Sequence, residues 1–289
     1  MTDPAPPPFS RHGPPVADFP VVVSVPHAGR HYPSSLIADA AVPMSSLRLL
    51  EDRHADLLVA GLIDQGATVF IANHARAFLD LNRDPREIDP RLIDGLPPPD
   101  LLRSSRVKNG LGLIPSHLGG ASSLWRRRLS ASEISKRIED FHKPYHDAIE
   151  QTLATARRRF GAALLLECHS MPPLSSADRS VPAPDIIIGD CFGRSATPSF
   201  SDLVAHTARS EGFRPARNVP YAGGYSIDRH GAPHRRIHAL QSEVDRSRYL
   251  DRDLYAPGAG VANVQGLFGS IFAALCEDLL ATPSHIAAE

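Results

Sequence analysis

Cysteine is scarce in this chain. Three residues, Cys168, Cys191 and Cys276, are odd in number and far apart, which excludes a disulfide framework and points to a reducing, cytoplasmic setting. Charge of one sign is also missing. A formal net charge of −1 gives no overall pull toward nucleic acid or a membrane surface, so neither is an expected partner. The two short basic runs, Arg126-Arg127-Arg128 and Arg157-Arg158-Arg159, lie in or beside expected helices and read as solvated faces. No apolar stretch approaches the ~20 residues that span a bilayer. The first residues carry Pro4, Pro6, Pro7, Pro8, Pro14 and Pro15 but no apolar segment of the secretory kind, so residues 1–18 are expected to be a disordered lead-in. No internal repeat is present, and nothing in the sequence defines an oligomeric state.

What remains is a 289-residue chain of ordinary hydrophobic content, 42%, enough for one large domain, expected over residues 19–289. Phe19 to Val25 is a continuous apolar run, as a strand of a parallel sheet covered on both faces requires. Further strands are expected over 67–72, 162–167, 185–189 and 237–244. Helices are expected over 46–65, with Leu47, Leu50, Leu57, Leu58, Leu62 and Ile63 on one face and Gly66 as its stop, and over 198–211 and 261–280. Ser130-x-x-Glu133 is a capping box opening a helix to about Arg159, with a kink or break at Pro144. Residues 84–123 are rich in Pro and Gly, as lids and binding loops are. Strands alternating with helices give an α/β class with a mixed, mostly parallel sheet flanked by helices.

Two of the strands run into a histidine: Val23-Ser24-Val25-Pro26-His27 and Leu164-Leu165-Leu166-Glu167-Cys168-His169. Ligands of open α/β sheets gather at the carboxyl ends of strands. Two imidazoles delivered there, with a carboxylate and an open position, make the ligand set of a catalytic zinc. Arg30 stands three residues after His27, so no His-x-x-Glu pair exists. The nearest carboxylates are Glu51, Asp52 and Asp56. Asp52 and Asp56 are four apart and would share one helix face, leaving either as the third ligand. Glu243 lies near the end of the strand 237–244, where a carboxylate must be paired or at work, and beside a metal it would serve as general base. Arg76, Asn82 and Arg83 suit an anionic substrate, the alternative being surface pairing with Asp80, Asp84 or Glu87. Cys168 and His169 are adjacent strand residues facing opposite ways, which excludes a nucleophile–base pair between them. Tyr221-Ala222-Gly223-Gly224-Tyr225 lacks the strand and helix of a phosphate loop and reads as a substrate-site loop or a tight turn.

Taken in order, Ser-Val-Pro-His-Ala-Gly-Arg (24–30), Glu-Asp-x-x-Ala-Asp-Leu (51–57), Asp-Leu-Asn-Arg-Asp-Pro-Arg-Glu-Ile-Asp-Pro (80–90), Gly-Leu-Gly-x-Ile-Pro (110–115), Pro-Tyr-His (144–146), Cys-His-Ser-Met-Pro (168–172), Asp-Ile-Ile-Ile-Gly-Asp (185–190), Asn-Val-Pro-Tyr-Ala-Gly-Gly-Tyr (218–225) and His-Ala-Leu-Gln-Ser-Glu-Val (238–244) resemble the N-formylglutamate amidohydrolase family. The resemblance implies a fold related to zinc carboxypeptidases and aspartoacylases. It implies one Zn2+ per chain held by His27, His169 and one acidic residue, with Glu243 as general base. Asn82 and Arg83 would clamp a substrate carboxylate, and Arg76 would polarise the scissile carbonyl. The implied reaction is hydrolysis of an N-acyl, in the first instance N-formyl, amino acid; formate and glutamate as products would place it in histidine breakdown. The alternatives are a zinc hydrolase of another N-acyl amino acid or short peptide, and a catalytically silent ligand-binding protein on the same scaffold. Three residues depart from the family pattern: Glu167 where Asp is usual, His54 where an aromatic is common, and Ser242 in place of an apolar residue.

Overall fold

The structure, a computed structural model, describes residues 5–118, 123–175 and 182–281. Among the described residues are nine strands: β1 (Phe9–His12), β2 (Val21–Val25), β3 (Thr68–Ala72), β4 (Ile93–Asp94), β5 (Leu129–Ser130), β6 (Ala163–Met171), β7 (Ile186–Gly189), β8 (Pro215–Arg217) and β9 (Ile237–Asp245). Seven of them form one sheet in the order β1-β3-β2-β6-β9-β7-β8, and β4 pairs with β5. Within the sheet β2 runs parallel to β6, β6 to β9 and β7 to β8, while β7 and β9 are antiparallel. This is the expected mixed, mostly parallel α/β architecture. Every residue of β2 and β6 is buried, as the unbroken Val and Leu runs demand.

By packing density the chain divides into two compact units, one of Met1–Ser10, Pro26–Glu51 and Ile71–Ala148, the other of Arg11–Val25, Asp52–Phe70 and Ile149–Glu289. In the first, Ser130 and Glu133 form the expected capping box at the head of the helix Ala131–Arg137. The break expected at Pro144 comes earlier, as a π-helical turn over Ile138–His142 that leads into the helix Lys143–Phe160. The exposed Arg126–Arg128 run lies beside this capped helix, with Arg127 bridging Asp39 and Glu133. Residues 84–123 contain a 3-10 turn at Pro90–Leu92, the strand β4 and a helix at Ser105–Lys108, with Leu113 and Ile114 fully buried. Residues 119–122 of that stretch lie outside the described residues. So do residues 1–4 of the expected lead-in, the rest of which is more ordered than anticipated. Asn73 takes hold of it, its N–H donating to Pro8 O at 3.1 Å, its Nδ2 to Pro7 O at 3.0 Å, and its Oδ1 accepting from Ser10 Oγ at 3.1 Å.

In the second unit the helix Val261–Ala281 is long and apolar enough to cross a membrane by length and composition, contrary to the expectation that no such stretch exists. Its Val264, Leu267, Phe268, Ile271, Phe272, Leu275 and Leu279 are buried in the fold, and it packs on the helix Pro198–Ser210 and on β2. Only one residue of β9, Glu243, is less than fully buried.

At the other end of β9, the ring of buried His238 meets that of Phe200 at a tilt of 53°, centroids 4.6 Å apart, and its Nδ1 accepts the Thr197 N–H at 3.3 Å. Burial, helped by the charge of Arg236, lowers its pKa to about 4. The unfolded chain therefore takes up this proton before the folded one does, and the stability held above about pH 6.5 drains away as pH falls toward 4, by on the order of 2–3 kcal/mol. Urea titrations at pH 7.5 and 4.5 should show His238→Phe losing less stability between the two than the parent. Equal losses would mean that His238 does not set this acid limb.

Candidate metal centre and active site

His27 leaves β2 through Pro26, and Gly29 then lets the chain pass against the His74 carbonyl, where a Cβ would collide with the backbone. Buried His27 Nε2 lies 2.7 Å from Asp80 Oδ1. A carboxylate can only accept, so Nε2 carries a proton in this contact.

Asp80 organises this unit. Its Oδ2 accepts from Arg76 Nε at 2.7 Å and lies 3.6 Å from Arg83 Nε, and its Oδ1 also takes the Asn82 N–H at 2.9 Å. Asp80 is 0% exposed. Burial pushes its pKa up, but Arg76, Arg83 and His27 together outweigh that and hold it well below the usual carboxylate range. The pairing of Arg76 with Asp80, weighed as a surface contact, is thus a core one. Arg83 donates through Nε to Leu111 O at 2.7 Å and through Nη1 to Asn82 O at 2.6 Å. Burial lowers it to about 10, which leaves it protonated at neutral pH. The backbone around it is held by two buried histidines whose ring centroids lie 4.4 Å apart: His146 Nε2 donates to Leu81 O and His142 Nε2 to Arg83 O, each at 2.8 Å. His142 was not singled out in the sequence, and His146 only within the Pro-Tyr-His motif; they are two among fourteen histidines, and their His-x-x-x-His spacing is the available signal.

In the other unit the parallel register of β6 and β9 sets Glu167 beside Gln241 and His169 beside Glu243. Alternation puts these four on one face of the sheet and Cys168 with Ser242 on the other. The strand β6, expected to stop before His169, continues to Met171, so the ladder with β9 runs past the residue that carries the imidazole. Its Nδ1 lies 2.9 Å from Asp52 Oδ2 and its Nε2 2.9 Å from Glu167 Oε2. Burial lowers the pKa of this ring, but Glu167, Asp52 and Glu243 outweigh it and raise it well above the ordinary histidine value. The departure at Glu167 therefore supplies a carboxylate that reaches His169. Cys168 is buried, and burial with the surrounding carboxylates pushes its thiol well up, which suits a structural rather than a nucleophilic sulfur. Glu243 Oε1 accepts from Gln241 Nε2 at 2.8 Å. Arg246, next to the end of β9, donates through Nη2 to Asp52 Oδ1 at 3.1 Å.

Asp52 does not ride on a helix. The single helix expected over 46–65 is three short pieces, Met44–Arg48, Ala55–Leu58 and Ala60–Asp64, with a left-handed residue, His54, at φ 60 before the second. The shared-face argument that made Asp52 and Asp56 equivalent therefore fails. His27, Asp52 and His169, all buried, each offer one ligand atom, and these atoms lie within 4.8 Å of one another; Asp56 is not part of the group. Such a group could bind a metal ion. Two nitrogens and one carboxylate oxygen match zinc rather than the all-oxygen sets of calcium or magnesium. With His27 Nε2 engaged by Asp80 and His169 Nε2 by Glu167, Nδ1 is the atom that each ring could offer such an ion.

Tyr221, Gly223 and Gly224 belong to a separate loop ahead of the helix Tyr225–His230. Gly223, at φ 131, has no room for a Cβ against the Ile227 side chain, and Cys191 N–H donates to Ala222 O at 2.8 Å. Asn218 and Asp190 bind each other at the base of the loop, Nδ2 to Oδ1 at 2.8 Å.

The model of the N-formylglutamate amidohydrolase family matches residues 19–250. N-formylglutamate deformylase of Pseudomonas putida is 28% identical over 236 residues, 81% of this chain and 82% of that one. N-formylglutamate deformylase of Pseudomonas aeruginosa is 29% identical over 266 residues, 91% and 93% of the two chains. Among solved structures, the N-formylglutamate amidohydrolase of Ralstonia eutropha JMP134 superposes with a TM-score of 0.86 at 32% identity, covering 94% of this chain and 98% of that one. A gene product of Agrobacterium tumefaciens, 17% identical with a TM-score of 0.66 over 94% and 95% of the two chains, shares the fold. With a family model running through most of its length and its ordered motifs accounted for, the chain belongs to the N-formylglutamate amidohydrolase family.

Proposed function

We propose that this protein is a zinc-dependent amidohydrolase that converts N-formyl-L-glutamate and water to formate and glutamate. The observation that carries the proposal is the buried His27, Asp52 and His169 group in a chain of this family. When bound, zinc acidifies water toward a pKa of ~7 and polarises a carbonyl oxygen. Glu243 accepts a proton from the attacking water as the new C–O bond forms at the formyl carbon, and delivers it to the amine nitrogen as the C–N bond breaks. Its partial exposure in an otherwise buried strand supports a role that needs water. Arg76 stabilises the charge developing on the carbonyl oxygen; one such donor is typically worth about 10²–10³ in rate. Asn82 and Arg83 hold the α-carboxylate, and Tyr221, Gly223 and Gly224 form the loop over the substrate. The free, buried Cys168, Cys191 and Cys276 suit a cytoplasmic enzyme of histidine breakdown.

Formate release from N-formyl-L-glutamate by chelator-stripped protein, before and after zinc is returned, tests this. Turnover restored by zinc is expected. Zinc binding without formate release would transfer the activity to another N-acyl amino acid or short peptide, which a panel of N-formyl, N-acetyl and dipeptide substrates would identify. Turnover undiminished without metal would overturn the mechanism.

A further inference from the structure

Arg246 follows directly on β9, in a 3-10 turn capped by Asp245, whose Oδ1 accepts the Ser247 N–H at 2.8 Å. Its guanidinium, 15% exposed, reaches both Asp52 and Ser170. Nη2 donates to Asp52 Oδ1 at 3.1 Å and to Ser170 O at 3.4 Å, and Nε donates to Ser170 Oγ at 3.1 Å. Ser170 in turn donates its N–H to Asp52 Oδ2 at 3.2 Å, the same oxygen that lies 2.9 Å from His169 Nδ1. The two oxygens of Asp52 thus have separate tasks. Oδ1 is taken by a cation, and Oδ2 is turned toward the imidazole.

We infer that Arg246 is a positioning residue that makes Asp52 a one-oxygen ligand, and so suits the centre to a four-coordinate ion such as zinc. Calcium takes six to eight oxygens and readily uses both of a carboxylate's, whereas zinc centres are built from few, singly bound donors. The inference rests on the metal-hydrolase function proposed above. It also opposes the simpler electrostatic expectation. A guanidinium near a cation repels it, so on charge alone removing Arg246 tightens metal binding. If the guanidinium serves instead to hold the carboxylate, removing it weakens binding, by about 10- to 100-fold as for other groups that orient metal ligands.

The test is zinc affinity by chelator competition in the parent, Arg246→Met and Arg246→Lys, together with the visible absorption of the cobalt-loaded proteins, whose intensity drops as coordination number rises. We expect zinc binding about 10- to 100-fold weaker in Arg246→Met and less weakened in Arg246→Lys, whose single ammonium can replace the Nη2 contact with Asp52 but not, in addition, the Nε contact with Ser170 Oγ. We also expect weaker cobalt absorption in Arg246→Met. Equal or tighter zinc binding by Arg246→Met, with a parental cobalt spectrum, overturns the inference and leaves Arg246 a charge-balancing ion pair. If Arg246→Met does not fold, Arg246→Lys decides by the same two readouts, and parental values in both overturn it. A parent protein that binds no zinc overturns the inference together with the function it rests on, whereas an unchanged variant of a zinc-binding parent overturns the inference alone.

Discussion

Glu243→Gln is expected to lose about 10²- to 10⁴-fold in the rate of formate release, the range that a positioned proton acceptor contributes, while binding zinc as the parent does. The substitution keeps the shape of the side chain and removes only its capacity to take a proton. The register of β6 and β9 places residue 243 beside His169, and it is the least buried residue of β9, so a water can reach a carboxylate held at a fixed distance from the ring. The neighbouring amide of Gln241 offers a donor to either side chain, which preserves the local hydrogen bond in the variant. Rate and zinc stoichiometry measured on the same preparation separate the two effects. A Glu243→Gln protein that retains both zinc and full activity would eliminate the proton-transfer role, and a water or another side chain would have to carry it.

Asp80→Ala should give the largest loss of stability of any single change at the site, about 3–5 kcal/mol, the cost of breaking a buried ion pair by removing one member. Without the carboxylate, Arg76 and Arg83 keep their charges in a buried place and His27 loses the partner that fixes its tautomer. Asp80→Asn, which fits the same space and still accepts a hydrogen bond through one oxygen, should lose less. Urea unfolding followed by far-ultraviolet circular dichroism measures both. Parental stability in Asp80→Ala would mean that the arginines relax to solvent at little cost and that the cluster is not a structural unit.

Much of this centre is visible in the sequence because its parts obey local rules. Apolar runs gave β2, β6, β7 and β9 to within a few residues, and the histidines close to their ends identified where chemistry would collect. Arg76, Asn82 and Arg83 suggested anion recognition through residue type alone. The choice of Asp52 over Asp56 could not be made that way. Leu47, Leu50, Leu58 and Leu62 keep a helix-like spacing because each is buried, and such a spacing survives breaks in the backbone. The left-handed turn at His54, which separates Asp52 from the helix that holds Asp56, is fixed by packing that no local pattern encodes. Glu167 and Arg246 were legible as charged residues but not as partners of His169 and Asp52, since those pairings join segments far apart in the chain. The apolar helix at Val261–Ala281 was underestimated because its Gln265, Glu277 and Asp278 interrupt the run without reducing its buried face.

The two histidines behind Asn82 and Arg83 form a latch with two points. His142 and His146 stand one helical turn apart, about 6 Å along the axis, and each meets a carbonyl of the turn that runs through Leu81, Asn82 and Arg83. Such a latch has no adjustable setting. A residue added or lost between its two points rotates one imidazole by about 100° and takes it off the chain it holds, so the spacing of these two histidines fixes the turn from behind as Asp80 fixes it from within.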